Sequence, residues 1–115
     1  MRVLPGLALA AMLLACRPAS GGAVDPLEMA FYGMGVAESC GLIDDEVARG
    51  FHNEVAWHLA RNPLGEDAFA RLRFAAALAV DREWYNRGLG GNRTWCRVEG
   101  ERAVRRFRAQ AGHPP

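Results

Sequence analysis

The sequence predicts an all-α protein: a small bundle of about four helices stapled by one disulfide. Apolar residues recur at helical spacing, start and stop signals bracket each periodic segment, and nothing alternates in the manner of a strand. The 115 residues allow one domain at most, expected at 24–115 behind a leader and tether at 1–23. Half of the residues are apolar and the net charge is +1, a balance that speaks against disorder and against a nucleic-acid binder. There is no internal repeat. All fourteen basic residues are arginine, which coding bias explains more simply than selection for guanidinium chemistry.

"DPLE" at 25–28 opens the first helix, with Asp25 as N-cap, Pro26 at the first helical position and Glu28 completing a capping box. That helix is expected to run to about Cys40, with Gly41 as the left-handed residue beyond its end. Ala30, Gly33, Ala37 and Cys40 form a small-residue stripe that lets a neighbour approach closely. Asp44 caps the second helix, whose buried stripe is Val47, Phe51, Val55 and Leu59, and "NPLG" at 62–65 stops it. The third helix reads from about Glu66 to Arg87 with apolar residues on two faces. Phe69, Leu72, Ala76, Val80 and Trp84 line one face, and Phe74, Leu78 and Tyr85 line another, a pattern that places this helix at the centre of the bundle. The last helix is expected over about Glu101 to Gln110, with Ala103, Val104 and Phe107 inward.

The first residues read as an address. "MRVLPGLALAAMLLAC" places Arg2 before an apolar run from Val3 to Ala15. Thirteen residues at ~1.5 Å each give roughly 20 Å, short of the ~30 Å hydrocarbon core, so a signal-peptide core fits and a permanent span does not. Two endings are open. "GGA" at 21–23 offers small residues for cleavage after Ala23, and "LLAC" at 13–16 resembles the lipobox of bacterial prolipoproteins. That resemblance implies lipidation at Cys16 and a membrane anchor facing the periplasm; Leu14 departs from the usual pattern. The resemblance covers only these four residues, and the remainder of the chain resembles no family.

Either ending leaves Cys40 and Cys96 as a pair, and in an oxidising compartment they should be bonded. A closed loop of about 55 residues gives roughly 4 kcal/mol on the chain-entropy model. For a mature domain this small, that is comparable to the whole net stability.

Charge divides along the chain. From Val24 to Ala70, nine acids stand against Arg49 and Arg61, a balance of −7. From Arg71 to Pro115, ten arginines stand against four acids, a balance of +6. Halves so opposed should attract each other within the fold or in a dimer. The alternative is a basic face turned toward anionic lipid, lipopolysaccharide or another acidic envelope component.

Candidate chemistry is sparse. His52 and His58 fall on opposite sides of a helix and HExxH is absent, so no metal site is expected. Glu54 and His58, four apart, could ligate a metal or act as base and orienter, but an ordinary helix pair explains them better because two ligands do not make a site. No CxxC or haem motif occurs, and neither a cofactor nor a catalytic residue is implied. "RAVRRFR" at 102–108 reads as a solvated face, and an exported protein meets little nucleic acid.

"EWYNRGLGGNRTWCRVEG" at 83–100 is the one stretch with the composition of a binding loop. Its glycines, Gly88, Gly90 and Gly91, suit positive φ in a tight reversal, and Thr94 can cap a short turn holding Trp95 and Cys96. Of Trp84 and Tyr85, one must face inward. Read as a clasp, the stretch reverses the chain and staples it to the first helix. Read as a site, Arg87, Arg93 and Arg97 beside Trp95 would clamp an anionic ligand or a sugar, with Glu54 and His58 assisting. The composite expectation is a non-catalytic binding or structural protein of the cell envelope, with a small-ligand binder or enzyme at this loop as the alternative.

Overall fold

The computed structural model describes residues 25–87 and 91–112. Those residues are helical and contain no strand: α1 (Pro26–Ser39), α2 (Asp45–Arg61), α3 (Glu66–Tyr85), then α4 (Gly91–Trp95), a π-helical turn (Cys96–Gly100) and α5 (Glu101–Ala111). The last three pieces keep right-handed helical dihedrals across their junctions and form one rod. The leader with Cys16, and the loop glycines Gly88 and Gly90, lie outside the described residues. No described helix is long and apolar enough to cross a membrane.

Both N-caps form as the sequence indicates, but the capping box with Glu28 does not, because Asp25 takes the Leu27 N–H and Glu28 makes no return bond among the described residues. Leu27 N–H donates to the Asp25 carboxylate at 2.8 Å, and Val47 N–H donates to Asp44 at 2.8 Å. Both bonds satisfy donors that a helix start otherwise leaves open. Gly41, at φ +68°, carries the chain past the end of α1. Its own N–H and that of Leu42 donate back to the Glu38 and Ala37 carbonyls, closing that end.

The core is built between α1, α2 and α5. Ala30, Ala37, Val47, Phe51, Ala103, Val104 and Phe107 form one buried cluster, and Val36, Val80 and Trp95 form a second toward α3 and α4. A chain of edge-to-face rings joins all four rods: Phe69 to Phe31 at 5.5 Å, Phe31 to Phe51 at 5.2 Å, and Phe51 to Phe107 at 5.6 Å. The small-residue stripe of α1 is used as its spacing suggests, since a Cβ on Gly33 would sit 3.3 Å from the Phe107 ring. Gly50 matters more. A Cβ there would lie 1.7 Å from the Phe107 carbonyl oxygen, so α2 and α5 touch backbone to backbone.

The central helix is α1 rather than α3. α1 packs on α2, α3, α5 and the π-helical turn, whereas α3 packs extensively on α1 alone. Phe74 and Tyr85 are 66% and 80% exposed, and Leu78 is exposed as well. The expectation of a doubly buried α3 fails because bare and short side chains on α1 let it take neighbours on several sides. Once α2 and α5 have closed on α1, no element remains to cover the second apolar face of α3.

Cys40 and Cys96 are bonded, with S–S at 2.05 Å and Cα atoms 5.5 Å apart. Gly100 in the π-helical turn makes room for the staple, since a Cβ there would lie 3.2 Å from Cys40 Sγ. The attraction between charge halves is realised in two pairs, Glu54 with Arg106 and Asp44 with Arg108. Among the described residues, two further pairs, Glu83–Arg87 and Glu99–Arg102, are local to the arginine-rich half.

Candidate functional site

The stretch from residue 83 onward builds a groove of about 530 Å³ where α1, the end of α3, α4 and the π-helical turn meet. Tyr32, Glu83, Arg87, Trp95 and Glu99 supply its chemistry. Trp95 is 4% exposed and packs on Val36 and Val80, with its ring 6.0 Å from that of Trp84. It is therefore a core residue whose edge reaches the groove. Trp84 is the inward member of its pair and Tyr85 the outward one.

Arg87 is held twice. Its guanidinium pairs with Glu83 one turn earlier, and its Cζ lies 4.7 Å from the Trp95 ring centroid. Gly91 leaves space for it, because a Cβ there would come within 2.8 Å of Arg87 Cβ. Gly91 is thus required for clearance; it lies inside α4 without the positive φ that a tight reversal implied. Thr94 likewise falls inside α4, because the helix begins before it rather than at it. The start at Gly91 is compatible with a helix that continues unbroken into the π-helical turn.

Tyr32 shares the groove lining with the carboxylates of Glu83 and Glu99. Burial raises the pKa of its phenol first, and the charges of Glu83 and Glu99 raise it further against a smaller opposing effect of Arg87. The phenol therefore stays protonated and available as a donor. Glu99 is itself paired with Arg102 at 3.2 Å. The groove accordingly presents carboxylate–guanidinium pairs and a phenol rather than an unpaired cation. That set can donate to and accept from a neutral polar ligand, while an anion would have to displace Glu83 from Arg87.

The remaining candidate residues sit elsewhere. Arg93 and Arg97 are exposed and do not line the groove. Glu54 is buried between α2 and α5, accepting from Arg106 Nε at 2.7 Å, Arg106 Nη2 at 2.8 Å and Gln110 Nε2 at 2.7 Å. His58 is half-buried with its ring 5.0 Å from that of Trp57, lining a separate hollow of about 80 Å³ with Asp25 and Asn62. Of the six ligand-binding candidates, only Arg87 and Trp95 are brought together. Among the described residues, no group of three or more metal-ligating side chains converges.

Reading the sequence missed Tyr32, Glu83 and Glu99 in the groove, and Arg106 and Gln110 as partners of Glu54. The Glu83–Arg87 spacing of four was legible as a helix pair. Nothing local marks Tyr32 or Glu99, which are 67 positions apart in the chain. Compared with protein-family models, curated proteins and solved structures, the chain matches none.

Proposed function

We propose that this is a small exported protein of the bacterial cell envelope, anchored through a lipidated Cys16, that binds a partner or organises the envelope surface without catalysis. The observation that carries the reading is where the reactive groups are spent. Cys40 and Cys96 are joined, as suits an oxidising compartment, and Glu54 is closed in by Arg106 and Gln110. Large apolar side chains, by contrast, face outward on α3. Chemistry is committed to the fold, and contact surface is left over.

Labelling cells with a palmitate analogue tests the anchor. Wild-type protein should carry label in the membrane fraction and the Cys16→Ala variant should not. Equal labelling of both, or a mature chain beginning at Val24, overturns the anchored form. A free thiol at Cys40 or Cys96 in protein taken from cells overturns export.

The groove favours a second reading, a binder of a neutral polar ligand such as a sugar, through Tyr32, Glu83 and Glu99. Saturation-transfer NMR with a neutral oligosaccharide should then show contact that is lost in Tyr32→Phe, with no contact to inorganic phosphate. Transfer to phosphate alone would instead favour the anionic-ligand reading of Arg87.

A further inference from the structure

Residues 74, 78 and 85 lie on one face of α3, opposite the buried Ala76 and Val80. Phe74 and Tyr85 keep most of their surface in water, and Leu78 is 39% exposed. Ala70 and Ala77 are exposed beside them. Asp67, Arg71, Asp81 and Arg82 are interspersed on the same exposed side, and none of them is ion-paired among the described residues. We propose that this face of α3 seats on the lipid surface to which the N-terminal segment is anchored. The inference rests on the lipoprotein reading above.

Reach permits it. Eight residues, 17–24, separate Cys16 from Asp25. A chain of that length spans at most ~28 Å. The first half of α3 lies against α1, with the Phe69 and Phe31 rings 5.5 Å apart and Arg73 Cζ 5.8 Å from the Phe31 ring. Phe31 stands six residues, roughly 9 Å, along α1 from Asp25, and a helix diameter of ~10 Å separates α1 from the outward side of α3, distances that such a tether spans.

Size and charge choose the occupant. Two aromatic side chains of ~150–250 Å² each, at these exposures and with Leu78, offer on the order of 300–400 Å². A stable protein–protein interface buries ~800 Å² from each partner, somewhat over half of it apolar, and these three side chains fall short of that apolar share, so a second copy would be held poorly. A lipid surface needs no such area once an acyl chain holds the protein beside it, because tethering makes the contact intramolecular. Two acids and two arginines on the face cancel, so insertion is apolar rather than driven by anionic headgroups. The arginine stems can lie along the apolar surface with their heads in water, and a tyrosine at the end suits the headgroup level.

Electron paramagnetic resonance tests the seating with the tether supplied independently. Residues 17–115 with an N-terminal hexahistidine tag are attached to phosphatidylcholine vesicles bearing a nickel-chelating lipid, with a nitroxide at Leu78→Cys or, as control, at Arg105→Cys. On vesicles the label at 78 should become several-fold less accessible to chromium oxalate and more accessible to oxygen, with the label at 105 unchanged. Adding Phe74→Asp and Tyr85→Asp should restore water access at 78. A label at 78 that stays as accessible on vesicles as in solution overturns the proposal. Spin–spin broadening at 78 in solution, growing with protein concentration, overturns it in favour of a second copy. Because the chelator replaces the acyl chain, failure of seating is distinct from failure of acylation, which the palmitate label reads.

Discussion

The contact between α2 and α5 and the contact between α3 and α1 are two ways of packing a helix in one small protein. In the first, Gly50 brings backbone against backbone, Phe107 is fully buried, and Glu54, Arg106 and Gln110 fill the remaining polar space. Asn53 extends the same contact by donating to the Gln110 carbonyl at 2.8 Å, satisfying an acceptor at the end of α5. In the second, one face of α3 meets α1 through Ala76 and Val80 while the opposite face carries Phe74 and Tyr85 in water. Apolar content does not separate the two regions. Close approach does, because it places Glu54, Arg106 and Asn53 within hydrogen-bond reach of partners as the interface closes, leaving Gln110 Oε1 without a protein partner.

Breaking the staple should have the largest effect, since it ties α1 to the π-helical turn and supports both contacts. Cys40 and Cys96 are separated by 56 positions. Replacing both by alanine should cost ~4 kcal/mol, read as a fall in Tm of many degrees. A change below about 1 kcal/mol would show that the non-covalent contacts suffice.

Two glycine substitutions sharpen the comparison directly. Gly50→Ala forces a methyl into the backbone of Phe107 and should cost about 3 kcal/mol or more. Gly35→Ala meets only a methyl of Val80, 2.8 Å from the new Cβ, in the looser contact. A small shift of α3 and the helix propensity of alanine should hold that change within about 1 kcal/mol. Denaturant midpoints of equal size for the two variants would contradict the contrast.

Glu54→Ala removes the acceptor around which Arg106 and Gln110 are arranged. Breaking a fully buried pair costs ~3–5 kcal/mol. Arg106 keeps 33% of its side chain exposed, so about 2 kcal/mol is expected in urea unfolding.

Asp44 should reveal the same interface through pH. Its carboxyl lies below its ordinary value of 3.8, chiefly because Val47 N–H and then Arg108 donate to it. A carboxylate depressed in the fold stabilises above its unfolded pKa, and that contribution is lost as pH falls from about 3.8 through the lower folded value. Asp44→Asn should therefore flatten the acid limb of the stability profile and leave its slope above pH ~5 unchanged. The smallest effect belongs to Phe74→Ser on the outward face of α3, expected within about 0.5 kcal/mol by thermal melts in solution.

Local signals made much of this fold legible in the sequence alone. Asp25 and Asp44 announce helix starts, Gly41 announces an end, and the spacing of Val47 with Phe51 and of Ala103, Val104 and Phe107 announces inward faces. These features act within a turn or two of chain, where short-range geometry dominates. Cysteine count and placement pointed to Cys40 with Cys96, because the expectation that Cys16 belongs to the leader or its lipid left that pair, and the two are bonded. The candidate site was legible only as far as Arg87 and Trp95, which lie eight positions apart in one unusual stretch.

What only the tertiary structure decided depends on which elements meet. Periodicity showed two apolar faces on α3 but carries no information on how many neighbours arrive to cover them. That number was set by α1, whose glycines and alanines admit α2 and α5 at close range. Gly50 carries no signal in the sequence, and its role appears only where the Phe107 backbone comes against it. Glu54 looked like the partner of His58, four residues away, and found Arg106 instead, 52 positions further on. A one-dimensional pattern encodes the faces of helices. Which faces meet is a property of three-dimensional fit, where a missing methyl at Gly33 or Gly50 outweighs a longer run of hydrophobic side chains.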